Sequence, residues 1–175
     1  MTARRYLNTG GFTLIELLVV ISIVTILSGV LIPSFTTYLR RQTVKQAQQK
    51  LVSDLRTVQN KALTGTLSDQ LINGTDPVAF WGIEFVNDTN DYVYFISAEN
   101  TACSVARIDQ ERYYLNQNVN IYSAPQCIFF NMDSGDITIP GVSFDLESIE
   151  VGYEDGGAEN KQVLFNPAGL IYANN

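Results

Sequence analysis

Three successive patterns of apolar and polar positions divide this chain, and the first is an apolar run. Between Phe12 and Ile32 the polar side chains are Thr13, Glu16, Ser22, Thr25 and Ser28. A hydrocarbon core of about 30 Å needs about 20 helical residues, so the run is long enough to cross a membrane. We therefore predict a transmembrane helix over residues 12–33, with a kink at Pro33, because proline removes one helical hydrogen bond.

The second pattern is an apolar stripe at helical spacing. Its members, three or four residues apart, are Val44, Ala47, Leu51, Leu55, Val58 and Ala62. Polar residues fill the other faces, so residues 34–65 are predicted to continue the helix as an amphipathic segment. The helix should end near Leu63, with Gly65 as its C-terminal cap. One helix over residues 12–63 would be about 80 Å long, which suits a filament subunit better than a compact domain. The stripe could form a coiled-coil seam, but we favour packing on the chain's own C-terminal domain.

The third pattern is a series of short runs rich in aromatic and β-branched residues. These predicted strands are residues 80–85, 91–96, 112–115, 119–122, 128–131, 137–139, 148–153, 162–165 and 170–172. Turn residues separate them, so residues 77–175 are predicted to form one antiparallel β-domain. Residues 66–76 are predicted to be a linker loop. The expected fold class is α+β, with the long N-terminal helix packed on the β-domain.

One carboxylate interrupts the apolar run near its start. An unpaired charge is costly in hydrocarbon, so Glu16 inside a membrane-spanning helix is a functional hypothesis in itself. A cleaved secretory signal would have a shorter apolar core that ends at a small-residue cleavage site. An ordinary signal anchor leaves Glu16 unexplained. The alternative that Glu16 merely reaches the lipid headgroups leaves the preceding Gly11-Phe12 unexplained.

The segment Gly11-Phe12-Thr13-Leu14-Ile15-Glu16 resembles the prepilin signal of type IV pilins and type II secretion pseudopilins. The resemblance implies that a prepilin peptidase removes a leader, residues 1–11, by cutting between Gly11 and Phe12. It also implies N-methylation of Phe12. Glu16 would then be the fifth mature residue and would neutralise the Phe12 amine of a neighbouring subunit. Such a pair is tolerated among apolar helices where either charge alone is not, and it fixes the register between subunits.

The same resemblance implies a location and partners. The subunit is expected in the lipid of the inner membrane before assembly, with a cytoplasmic N-terminus and the β-domain outside. It would then join other pilin or pseudopilin subunits on an inner-membrane assembly platform, in a periplasmic or extracellular filament. Arg4 and Arg5 agree with this orientation. A simple positive-inside count favours the reverse, because Arg40, Arg41, Lys45 and Lys50 follow the span. We give the resemblance precedence.

Two segments of the β-domain point to one branch of this family. Trp81-Gly82-Ile83-Glu84-Phe85 and Val163-Leu164-Phe165-Asn166-Pro167-Ala168-Gly169 resemble the H-type minor pseudopilins and the FimT-like minor pilins. Both segments could equally be generic strand and turn sequences. The resemblance implies a two-sheet sandwich and a minor subunit. A major pilin, and a minor pilin that binds DNA or a surface for uptake or adhesion, are the alternatives.

Composition limits the catalytic and metal-binding chemistry that the chain can perform. The chain has no histidine, so the usual general base and the histidine-dependent triads are absent, and we expect neither an enzyme nor a cofactor. Cys103 and Cys127 in an exported domain favour a disulfide over two reduced thiols, and they are too few for a structural zinc site. Several acid-rich turns could offer oxygen ligands to calcium, but they lack EF-hand spacing, and turn chemistry explains them better.

Charge argues against nucleic acid as a partner. The chain has 11 basic and 18 acidic residues. Beyond residue 65 the basic residues are Arg107, Arg112 and Lys161, whereas every acidic residue except Glu16 and Asp54 lies there. DNA binding depends on clustered Lys and Arg that neutralise phosphates, and the β-domain offers no such cluster in its sequence.

Overall fold

The computed structural model describes residues 11–156 and 159–174, and all side chains in these ranges except those of residues 30–33. Within them the chain forms one long helix, α1 (Leu14–Leu63), and then antiparallel strands. It divides into two compact units between Tyr38 and Leu39. The α+β fold class is confirmed. The leader lies outside the described residues except for Gly11, and so does the side chain of Pro33, so the predicted kink stays a prediction.

The end of α1 follows from its sequence. Gly65 has a φ of 64°, a left-handed conformation that glycine adopts without steric cost. The Gly65 N–H donates to the Ala62 carbonyl at 2.9 Å, and the Thr66 N–H donates to the Lys61 carbonyl at 3.0 Å. These two bonds form a Schellman motif, which satisfies carbonyls at the helix terminus. The predicted end at Leu63 and the predicted cap at Gly65 are confirmed.

The strands form a small hairpin and two larger sheets. In chain order they are β1 (Leu71–Ile72), β2 (Asp76–Pro77), β3 (Phe80–Phe85), β4 (Asp91–Ser97), β5 (Arg107–Tyr114), β6 (Val119–Ser123), β7 (Cys127–Asn131), β8 (Ile137–Thr138), β9 (Glu147–Tyr153), β10 (Lys161–Phe165) and β11 (Ile171–Asn174). One sheet has the order β5-β4-β3-β7-β8 and the other β11-β10-β9-β6. Within the described residues these strands pair antiparallel, as predicted.

Two details differ from the sequence prediction. The predicted loop over residues 66–76 contains the strand β1, which pairs with β2 through Leu71↔Pro77 and Ile72↔Asp76. The strand predicted at residues 112–115 begins earlier, at Arg107. It is an exposed edge strand with a bulge opposite Tyr94 and Phe95, so its charged residues do not show the alternation of a half-buried strand.

The core joins the C-terminal part of α1 to both sheets. All six residues of the predicted stripe have no exposed surface and share one cluster with strand residues such as Ile83, Ile121, Val151 and Phe165. Packing of the stripe on the chain's own β-domain is therefore confirmed. Burial of this apolar surface, at about 25 cal/mol per Å², is the main force that holds the helix in place.

Candidate functional site

The first turn of α1 contains the residues that the sequence singled out. Phe12 is 89% exposed, and the helix begins two residues later at Leu14. The Thr13 N–H and the Thr13 hydroxyl both donate to Oε2 of Glu16 at 2.8 Å. The Glu16 N–H donates back to Oγ1 of Thr13 at 3.3 Å. Thr13 and Glu16 therefore form a capping box, which satisfies N–H groups at the helix start.

Sequence analysis missed the role of Thr13. Its signal is the spacing Thr-x-x-Glu immediately before an apolar run, which is the sequence pattern of a capping box. The carboxylate also lies at the positive end of the helix dipole, a second stabilising effect within the chain. Both bonds end on Oε2, so the capping box does not use Oε1 of Glu16. The cap therefore leaves one carboxylate oxygen available.

The helix around this carboxylate is an apolar surface without cover in the isolated chain. Every large apolar side chain from residue 12 to 27 is at least 48% exposed. Glu16 lies in a shallow depression of about 390 Å³, with Phe12, Ile15, Val19 and Val20 around it. By length and composition the helix can cross a membrane. This surface requires lipid or other apolar helices around it, since exposed apolar patches of this extent mark interaction sites.

The C-terminal part of α1 is fixed to the β-domain by polar contacts as well as by the stripe. Nε2 of Gln48 donates to the carbonyls of Gln162 at 2.6 Å and Asn174 at 2.8 Å. Nε2 of Gln59 donates to the Gly135 and Gly169 carbonyls at 3.1 and 2.9 Å. Gln48 is buried and Gln59 is half-buried, and these two amides, which the sequence pattern did not reveal, tie the helix to residues more than seventy positions away.

Most basic residues of α1 beyond the span also contact the β-domain. NH2 of Arg56 donates to the Ile171 carbonyl at 2.7 Å, and Lys50 donates to the Tyr114 carbonyl. Nζ of Lys61 lies 5.0 Å from the centre of the Trp81 ring. Arg40 pairs with Asp155 at 3.0 Å. These cations therefore serve the docking of the helix, whereas Arg41 and Lys45 are exposed.

A tyrosine cluster lies where the helix meets the five-stranded sheet. The Tyr92 hydroxyl donates to Asp54 of the helix, and burial raises the pKa of Tyr92 well above its usual range. The Tyr113 hydroxyl donates to Glu111, and this bond is the main cause that raises the pKa of Tyr113 to about 12. Burial also raises the pKa of Tyr94. The raised pKa values favour the neutral form of these phenols, which fits a structural contact between helix and sheet.

Cys103 and Cys127 form a disulfide, with a Cα–Cα distance of 5.7 Å. Cys103 belongs to the segment between β4 and β5, and Cys127 begins β7. The segment covers Phe95 and Phe129, which have no exposed surface and pack against the two cysteines. Arg107 closes the edge of this small cluster, with its guanidinium 4.6 Å from the centre of the Phe95 ring. The disulfide therefore holds a cover on the outer face of the five-stranded sheet.

The structure thus places Glu16 in the first turn of an exposed apolar helix with Gly11 and Phe12 just before it, and it joins Cys103 to Cys127. Among the described residues no group of three or more Asp, Glu or Cys side chains is arranged to hold a metal ion. In the described C-terminal strand β11 no basic residue is present. The chemistry of the site is therefore that of charge and apolar surface.

Comparisons with known proteins agree with this geometry. Residues 7–32 match the family model described as the prokaryotic N-terminal methylation motif. The fold is similar to that of the type IV minor pilin FimU of Pseudomonas aeruginosa, with 13% identity, a TM-score of 0.51, and coverage of 79% of this chain and 92% of that chain. It also matches the minor pseudopilin EPSH of the Vibrio cholerae type II secretion system, with 12% identity, a TM-score of 0.47, and coverage of 76% and 94%. No curated protein matches the sequence.

Proposed function

We propose that this chain, which carries an N-terminal methylation motif on a pilin-like fold, is a minor pilin-like subunit of a type IV pilus or of a type II secretion pseudopilus. The observation that carries the proposal is the position of Glu16. Among the described residues of this exposed apolar helix surface it is the one acid, and it lies four residues after Phe12. The function proposed for the subunit is filament assembly, without catalysis.

Processing creates the partner of Glu16. A prepilin peptidase cuts between Gly11 and Phe12, and the new amine at Phe12, which is then methylated, carries a positive charge. Oε1 of Glu16, which the capping box leaves available, accepts a hydrogen bond from the Phe12 amine of a neighbouring subunit. Removal of one partner from an ion pair in apolar surroundings costs about 3–5 kcal/mol, because the other charge stays buried and unpaired. A subunit out of register loses the pair, so the pair selects a single register.

The exposed apolar side chains of the first part of α1 have two successive environments in this proposal. Membrane lipid surrounds them before assembly, and the helices of other pilin or pseudopilin subunits surround them afterwards. The assembly platform of the inner membrane performs the transfer. Predicted domain boundaries fit this division, with a transmembrane and assembly helix over residues 12–33 and an amphipathic part over residues 34–65.

The proposed orientation places the N-terminus in the cytoplasm and the β-domain outside. The contacts of the basic residues on α1 bear on the positive-inside count, which favoured the reverse orientation. Arg40, Lys50, Arg56 and Lys61 bind groups of the β-domain, so the packing of the helix accounts for their positions. They therefore carry little information about the membrane side, which weakens the positive-inside count that favoured the reverse.

The experiment compares three variants with the wild type in the native host, by immunoblots of whole cells and of sheared filaments. Gly11→Ala is expected to accumulate with its leader uncut. Glu16→Gln keeps an oxygen that accepts the Thr13 bonds, since glutamine also serves in a capping box, but it removes the charge. It is expected to be processed and then to be absent from filaments. Thr13→Val is the matched control, because it removes the capping hydroxyl and keeps the charge, and it should still enter filaments.

Three results contradict the proposal or the role that it gives Glu16. One is incorporation of Glu16→Gln at the wild-type level, which would show that the charge does not direct assembly. Another is normal processing and incorporation of Gly11→Ala, which would remove the peptidase from the scheme. Equal loss of Glu16→Gln and Thr13→Val would assign Glu16 a capping role only.

A further inference from the structure

A cleft of about 560 Å³ opens where the chain passes from one sheet to the other. Strand β6 pairs with β9 from Val119↔Tyr153 to Ser123↔Glu150, and the following strand, β7, belongs to the five-stranded sheet. Strand β9 starts three residues before that last pair, at Glu147. Its first residues pair with β10 on one side. On the other side no described strand pairs with them, so the cleft has an open strand edge as one wall.

A main-chain donor lies on this open edge. The Ser148 N–H donates to Oε1 of the adjacent Glu147 at 3.1 Å. In an antiparallel sheet the N–H of a residue points to one neighbouring strand only, and the Ser148 N–H is not used in the pairing with β10. A side-chain carboxylate therefore occupies the place that the carbonyl of an added strand would take. This bond joins two adjacent residues, and an equivalent hydrogen bond to the carbonyl of an added strand can replace it.

The other walls suit an extended chain. The Cys103–Cys127 disulfide, Pro125, Pro140 and Val142 line the cleft, and Val142 is 52% exposed. The volume is within the range of about 300–1,000 Å³ that ligand sites have. Glu147 carries the one charge among the described lining residues. Charge complementarity therefore favours an occupant with a positive side chain where it passes Glu147.

We propose that this cleft binds an extended polypeptide segment, which adds to the open edge of β9 at Ser148 and places a lysine or arginine against Glu147. This mode gives affinity through main-chain hydrogen bonds and specificity through side-chain contacts. The site is independent of the assembly helix, because all its lining residues belong to the β-domain. It provides a minor subunit with a second contact, made by the folded domain to another protein.

The test uses the full chain in detergent micelles and two fluorescent peptides, acetyl-Ala-Thr-Val-Lys-Val-Thr-Ala-amide and its counterpart with glutamate in place of lysine. Fluorescence anisotropy should show that the lysine peptide binds about threefold more tightly, as a partly exposed ion pair allows. Glu147→Gln should abolish this preference. Glu150→Gln is the matched control on the same strand, because Glu150 does not line the cleft, and it should keep the preference.

Two further variants test the place of binding. Val142→Trp fills the cleft from an exposed position and should lower the affinity at least about tenfold while the domain stays folded. Ser148→Pro removes the N–H, whereas Ser148→Ala keeps it, so only the proline variant should lose the peptide. Saturable binding that persists in Val142→Trp, equal affinity for both peptides, or no binding of either peptide up to about 1 mM would each overturn the proposal.

Discussion

Replacement of Gln48 by methionine tests how the helix is fixed to the β-domain. Gln48 is 1% exposed, and its amide nitrogen donates to the carbonyls of Gln162 and Asn174, on β10 and β11. Methionine has a similar length but no donor, so packing is kept and two hydrogen bonds are lost. A neutral hydrogen bond contributes about 1 kcal/mol, and a buried carbonyl without a partner costs about 1–3 kcal/mol. We expect the free energy of unfolding to fall by about 2–4 kcal/mol.

The assay is urea unfolding of the full chain in detergent micelles, followed by the fluorescence of Trp81. This is the single tryptophan, it is 2% exposed, and Nζ of Lys61 on the helix lies 5.0 Å from the centre of its ring, so its emission reports the contact between helix and sheet. Gln49→Met is the matched control, because the adjacent Gln49 is exposed. A loss below about 0.5 kcal/mol for Gln48→Met, or equal losses for both variants, would refute the reasoning.

Two more predictions concern the five-stranded sheet. Gly82→Ala should destabilise the domain by about 1–3 kcal/mol in the same assay, because a Cβ would lie 2.2 Å from the Phe95 ring; an unchanged midpoint would contradict this. The free energy of unfolding should fall as pH rises above about 10. In that range the tyrosines of the unfolded chain lose their protons, whereas the raised pKa values keep Tyr92 and Tyr113 protonated in the folded protein. The double variant Tyr92→Phe with Tyr113→Phe should show a smaller fall, measured by thermal unfolding across that pH range.

Much of the fold was predictable because local patterns specify it. The stripe through Leu51 and Leu55 has helical period, and the turn at Gly65 requires a left-handed residue, so both the buried face and the end of the helix follow from neighbouring residues. The strands that were predicted correctly are half-buried or fully buried. Strand β5 was predicted only in part because it is an exposed edge, where burial imposes no alternation on the sequence.

The features that sequence analysis missed depend on distant partners. Glutamines such as Gln48 and Gln59 are typical of solvent-exposed helix faces, and only the tertiary structure gives them carbonyl partners. The open edge at Ser148 arises because consecutive strands enter different sheets, which no local pattern encodes. The capping role of Thr13 is an exception, since its signal is local.

The contacts between α1 and β11 affect the order of events in synthesis. The helix donors at Gln48 and Arg56 meet carbonyls of Asn174 and Ile171, which are separated from them by 126 and 115 positions in the chain. The helix is translated before every described strand and β11 after all the others, so the helix can make these contacts only once β11 has emerged. Contacts of such long range form slowly. A subunit that lost β11 would keep the apolar stripe packed on the other strands but would leave the side chains of Gln48 and Arg56 without these carbonyl partners, so the last described strand contributes to fixing the first described element.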